Sequence, residues 1–118
     1  MPPRLHEPTF LILTALAEQP LHGYALLQRV AELSDGRVRL RAGTLYAALD
    51  RLAREGLVTV SGEEVVDGRL RRYHALSELG HHALALEAHR WRANVEAASR
   101  VLAARPPELS ARAAEGVA

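Results

Sequence analysis

Residues 44–55 read TLYAALDRLARE and are followed by Gly56. Leu45, Ala48, Leu49 and Leu52 fall at i, i+3, i+4 and i+7, the spacing that aligns apolar side chains along one side of an α-helix. A glycine just past the last periodic residue is a C-terminal stop. The core stripe turns Thr44, Tyr46, Ala47, Asp50, Arg51 and Arg54 outward or to the flanks, so the helix offers a face to a partner. Directly after it, residues 57–66 and 70–76 are runs rich in β-branched and aromatic residues. They flank Asp67-Gly68, a dipeptide suited to hairpin turns that need positive φ.

Upstream, residues 22–34 (HGYALLQRVAELS) carry Leu26, Leu27, Val30 and Leu33 as one stripe, and Ser34-Asp35-Gly36 closes that helix. Residues 8–18 (PTFLILTALAE) are apolar on most sides, as a short helix buried in a small core would be, and Gln19-Pro20 stops it. Between the second and third helices, Arg37-Val38-Arg39-Leu40-Arg41 alternates strictly, which predicts a short half-buried strand with three guanidiniums outward. Downstream, Ser77 is the N-cap of a last helix running to about Ala104, with Gly80 where a capping-box Glu would stand. In it Leu84, Ala88, Trp91, Val95, Ala98 and Leu102 alternate at intervals of four and three, a short coiled-coil seam that pairs two copies alongside other contacts. Arg105-Pro106-Pro107 breaks that helix. The expected fold class is mainly α with a small β-hairpin. Residues 1–76 form a winged helix-turn-helix domain, 77–104 a dimerisation helix and 105–118 a flexible tail.

Composition agrees with one domain: 118 residues, 48% hydrophobic and 25% charged. The absence of cysteine excludes disulfides, thiolate metal sites and cysteine nucleophiles. Apolar stretches are far shorter than the ~18 residues of a membrane span and no signal peptide opens the chain, so the expectation is a soluble cytoplasmic protein. Net charge is +1 overall, but −2 over residues 1–36, +3 over 37–72 and zero thereafter, and every basic residue is Arg. The excess falls on the elements a winged domain turns toward double-stranded DNA: the third helix in the major groove, ~12 Å wide, and the hairpin along the flanking backbone. Arg39, Arg41, Arg51, Arg54, Arg69 and Arg71 are the candidate contacts. A winged helix serving protein contacts alone is the alternative.

The runs HGYALLQRVAEL (22–33), GTLYAALDRLAREGLV (43–58) and DGRLRRYHALSELG (67–80) resemble the PadR family of bacterial transcriptional regulators. The resemblance implies a homodimer that represses genes by binding inverted repeats, with the final helix as dimer contact, and a single such helix is similar to the short-chain subgroup. It places Thr44 and Tyr46 toward phosphates and base edges at the start of the recognition helix, near Gly43. Hydroxyls at a helix N-terminus suit that role, although Tyr46 could instead pack on Leu21 or Tyr24. Where many relatives have a small polar residue and Pro before Gly-Thr-Leu-Tyr, this chain has Arg41-Ala42, exchanging a side-chain cap for an Arg that reaches phosphate. On the hairpin, Tyr73 is expected to pack inward and Arg72 to face away from Arg71, while Glu63 and Glu64 are expected to point away from DNA.

Trp91, the sole tryptophan, lies mid-seam. It anchors the dimer core, packs on helix one or, as in some members of the resembled subgroup, forms with its partner copy a sandwich for a small planar aromatic or cationic effector, which would act as inducer. His74, His81, His82 and His89 contain no i, i+4 pair, so no metal is expected. No Gly-rich phosphate loop or Gly-x-Ser-x-Gly is present, so neither enzymatic activity nor a cofactor is expected.

Overall fold

In a computed structural model, which describes residues 5–107, seven elements follow one another. They are α1 (Glu7–Glu18), β1 (Leu21–His22), α2 (Gly23–Leu33), α3 (Ala42–Arg54), β2 (Val58–Val66), β3 (Arg69–Leu76) and α4 (Glu78–Ala103). The three strands form one antiparallel sheet in the order β1-β3-β2. Each helix stripe becomes part of one core: Ile12, Leu13, Ala15 and Leu16 from α1, Leu26 and Val30 from α2, Leu45, Leu49 and Leu52 from α3, then Leu57 and Val58. At ~1.5–3 kcal/mol for each large side chain withdrawn from water, these residues supply the main drive to fold.

The third helix ends as its sequence predicts. The Gly56 N–H reaches the Ala53 carbonyl and the Leu57 N–H the Leu52 carbonyl, with Gly56 at φ +79°, a Schellman closure. Asp67 and Gly68 both have positive φ, which makes the hairpin turn type I′. The ladder is regular from Val66↔Arg69 to Gly62↔Tyr73, then shifts so that Val60 opposes His74, leaving Ser61 as a bulge.

One expected strand is absent. Among the described residues, 37–41 pair with no strand, and the third strand is instead Leu21–His22, which pairs with His74 and Tyr73. The alternation reflects packing without a ladder. Val38 and Leu40 are half-buried against the core, Arg37, Arg39 and Arg41 point out, and the segment is held by Ser34, whose Oγ accepts the Val38 N–H at 3.0 Å. The neighbour that a strand there would need is missing, because β1 occupies the free edge of β3.

The chain divides into two compact units at Glu87–Ala88, inside α4 rather than at the expected boundary between residues 76 and 77. The reason lies in the first turns of α4. Ser77 caps them, its Oγ accepting the Gly80 N–H at 3.0 Å and donating to the Gly56 carbonyl at 2.6 Å. Ala83 and Leu84 then pack on the core, and Glu87 is buried with its carboxylate accepting the Leu5 N–H. Gly80 is needed for close approach: a Cβ there would collide with the Leu57 carbonyl oxygen and the Leu76 side chain. The second unit is described here by the helical turns from Ala88 to Ala103, in which Val95, Val101 and Leu102 are exposed. Most of the expected tail, residues 108–118, lies outside the described residues.

Candidate nucleic-acid interface

With Leu45, Leu49 and Leu52 fully buried, the 100° step of the helix centres the outward face of α3 on Gly43, Ala47, Asp50 and Arg54, all exposed. Small residues at two of these positions let the helix backbone approach a surface closely. Arg41 is the N-cap residue and caps nothing with its side chain, so its exposed guanidinium stands beside the positive end of the helix.

The flanks of α3 go to different neighbours. On one side Thr44, Ala47 and Arg51 border a shallow cleft with Thr9 and Leu40, and Arg51 donates to Thr9 Oγ1 at 3.0 Å. On the other side Tyr46 leans onto the start of α2. It is half exposed, but its hydroxyl lies so close over Gly23 that a Cβ there would overlap it. Tyr46 thus sets its hydroxyl end on the start of α2 while about half of the residue stays accessible. Arg39 folds back over Gly36 and, with Gln28 and Glu32, borders the outer side of α2. Arg37 is taken by Glu7 at 2.8 Å.

The wing arginines are placed by strand parity. Directly opposed residues share a face, so Glu64 shares the side of Arg71, and Glu63 the side of Arg72. The two carboxylates therefore do not both point away as expected. Glu63 accepts from Arg72 Nε at 3.1 Å, and Glu64 accepts the Tyr73 hydroxyl. Tyr73 does not pack into the core; it lies half-buried on the sheet with its ring edge-on to His22, centroids 5.5 Å apart. The Glu64 hydrogen bond, assisted by burial, pushes the Tyr73 phenol above its ordinary range, while Arg71 pulls the other way. Arg69 and Arg71 are exposed toward the hairpin turn.

Between α3, the start of α2 and β3 opens a cleft of about 630 Å³, lined among others by Tyr24, Tyr46, Asp50, Leu70, Arg72 and His74. His74 is 9% exposed. Burial pushes its imidazole below the ordinary range, Arg72 adds to this, and Asp50 opposes it. Sequence reading passed over His74, Arg72 and Tyr24 as site residues. Parity from Leu76 was the available signal, because alternation along β3 carries His74 and Arg72 to the same side as that half-buried leucine.

Of the six seam residues, Leu84 is half-buried against its own core, Ala88 and Trp91 are half-buried, and Val95, Ala98 and Leu102 are exposed. Among the described residues no cluster of three or more His, Asp or Glu could hold a metal ion, and no helix is long and apolar enough to cross a membrane.

A helix exposed on one side, followed by a wing and braced by two helices, is the winged-helix arrangement found in PadR-like regulators. The sequence profile of the Transcriptional regulator PadR-like family matches residues 12–86, and the chain belongs to that family, one of regulators rather than enzymes. The chain is similar to the transcriptional regulator Rv3488 of Mycobacterium tuberculosis, 43% identical over 81 residues that cover 69% of this chain and 67% of that protein. It is also similar to an uncharacterized 37.1 kDa transposon protein of Streptomyces fradiae, 40% identical over 86 residues, 73% of this chain but 23% of that protein. The crystal structure of a PadR family transcription regulator from Clostridium difficile shares the fold, with a TM-score of 0.71 at 24% identity over 82% of this chain and 99% of the other.

Proposed function

We propose that the chain is a sequence-specific DNA-binding repressor that binds an inverted-repeat operator as a homodimer in the cytoplasm. The observation that carries this is the outward face of α3. Among the described residues nothing covers it; it is small at its centre and flanked by Arg41 and Arg54, so a major groove can be approached closely while guanidiniums reach phosphate or guanine. Thr44, Tyr46, Ala47 and Arg51 border that contact, and Arg39, Arg69 and Arg71 meet the backbone on either side. The exposed Val95, Ala98 and Leu102 supply an apolar stripe for a second copy. Two-fold pairing would set two reading helices against two half-sites. Trp91, on the same stripe, is the proposed seat of a small planar aromatic effector that shifts the dimer between states of different operator affinity.

The test is selection of duplexes from a random library by the purified full chain, then mobility-shift titration at several salt concentrations. A recovered inverted repeat, bound with a steep negative slope of log K against log salt, is expected. Because the wing carries as many carboxylates as arginines, a winged module for protein contacts is the second reading. It is favoured if no duplex is retained at low salt. Trp91 fluorescence that planar cations leave unchanged would remove the effector proposal alone.

A further inference from the structure

Resting on the DNA-binding reading, we infer that the cleft between α2, α3 and β3 is a seat for one backbone phosphate of the bound duplex, with the His74 imidazole as donor and Asp50 as the group that orients it. His74 is buried to nine-tenths, lines the cleft, and receives no hydrogen bond or ion pair among the described residues. Among the described residues no fully buried side-chain nitrogen or oxygen lacks a partner, so the ring nitrogens of His74 keep some exposure, which a group entering the cleft can use.

The surroundings suit an anion. Gly23 and Tyr24, in the first turn of α2, line the cleft and bring the positive end of that helix to it, and the Tyr46 hydroxyl lies beside Gly23. Arg72 lines the wall, already tied to Glu63 but with guanidinium donors to spare, and Arg69 and Arg71 stand on the rim. His22 also lines the cleft. Position is the second argument. The cleft lies between α3 and the wing, so a duplex that met both elements would carry its backbone across it. At about 630 Å³ it has room for a phosphodiester and its sugar.

Among the described residues Asp50 is the carboxylate that lines the cleft, and it makes no ion pair with them; alone it would repel phosphate. It becomes an asset once His74 is protonated. An imidazolium has two N–H donors, one for Asp50 and one for the phosphate, and this ordering is available only to the charged ring. Binding is therefore coupled to uptake of a proton. In the free protein burial and Arg72 keep His74 neutral near pH 7, whereas an adjacent phosphate favours the charged form. Affinity rises as pH falls through the value for the complex and levels off below the value for the free protein.

The experiment compares the full chain with its His74→Gln variant on the selected duplex between about pH 8 and about pH 6. One linked proton gives the parent a gain of up to about tenfold per pH unit that the variant lacks. The His74 ring resonance, followed by NMR, titrates at higher pH with duplex than without. Duplexes carrying a single methylphosphonate locate the contact: at one position the parent loses affinity and His74→Gln does not. Equal pH dependence in parent and variant overturns the inference while leaving DNA binding intact, whereas recovery of no duplex overturns both. An equal NMR shift with inorganic phosphate at the concentration of bound duplex phosphates overturns the assignment to DNA in favour of a free-anion site.

Discussion

The segment from Arg37 through α3 and the hairpin that follows are both arginine-rich, yet they present charge in different ways. Residues 37–54 hold five Arg and one acid, and two of the five, Arg41 and Arg54, stand exposed beside an uncovered helix face. Residues 58–76 hold three Arg and three acids, and the strand register matches Arg72 to Glu63 and Arg71 to Glu64. Charge counted along the chain therefore overstates what the wing offers to DNA. Affinity should come chiefly from α3, and the wing should act as an adjustable contact.

The largest expected effect tests how firmly each region is held. Leu45→Ala empties a site under α3 that is wholly closed to solvent and should cost about 2–5 kcal/mol in urea unfolding. Leu70→Ala, on the exposed wing, should stay within about 0.5 kcal/mol. Equal losses would mean that the wing is as deeply anchored as the helix.

Next, Arg41→Ala combined with Arg54→Ala should weaken binding to the selected duplex by tenfold or more and reduce the salt slope by about two. Arg72→Ala should change the slope by less than one, because its partner Glu63 is released at the same time. A wing variant with the larger slope change would reverse the comparison. In the opposite direction, Glu63→Gln with Glu64→Gln frees Arg72 and removes the carboxylate opposite Arg71, and should tighten binding several-fold, measured by the same titration.

The smallest effect calibrates exposed pairing away from DNA. Arg29 donates to Glu18 through Nε and a terminal nitrogen, at 2.7 and 2.9 Å, and this hydrogen bond holds the Glu18 carboxyl below its usual value. A carboxyl lowered in the folded state stabilises above its unfolded value and loses that contribution as pH falls through its folded one. Glu18→Gln should thus lower the thermal midpoint slightly at pH 7, with the difference gone at strongly acid pH. A difference that persists in acid would assign the effect to packing.

Helices α1 to α3 and the hairpin were legible because each rests on a local rule. A 3.6-residue stripe, a glycine past its end and an Asp-Gly turn act over a few residues, and the same neighbours decide them in the folded chain. The strand expected at residues 37–41 was misread because alternation records only which side chains are inside, while a strand also needs a hydrogen-bonded neighbour. That neighbour went to Leu21–His22, two residues too few to show a pattern. The bulge at Ser61 and the ties from Glu63 and Glu64 were hidden for a related reason, since register belongs to the pair of strands and not to either one.

The sequence by itself determined the order of elements, the stripe that buries one side of α3, the outward set around Ala47 and Arg54, and the membership in a regulator family that those motifs announced. Tertiary structure alone decided that Tyr46 leans on Gly23, that Gly80 lets α4 meet the Leu57 carbonyl, that two wing carboxylates are tied across the hairpin, and that His74 and Asp50 meet in one cleft. Local periodicity depends on residues a turn apart. Asp50 and His74 are brought together by the packing of a helix against a sheet, a distance no short-range rule measures.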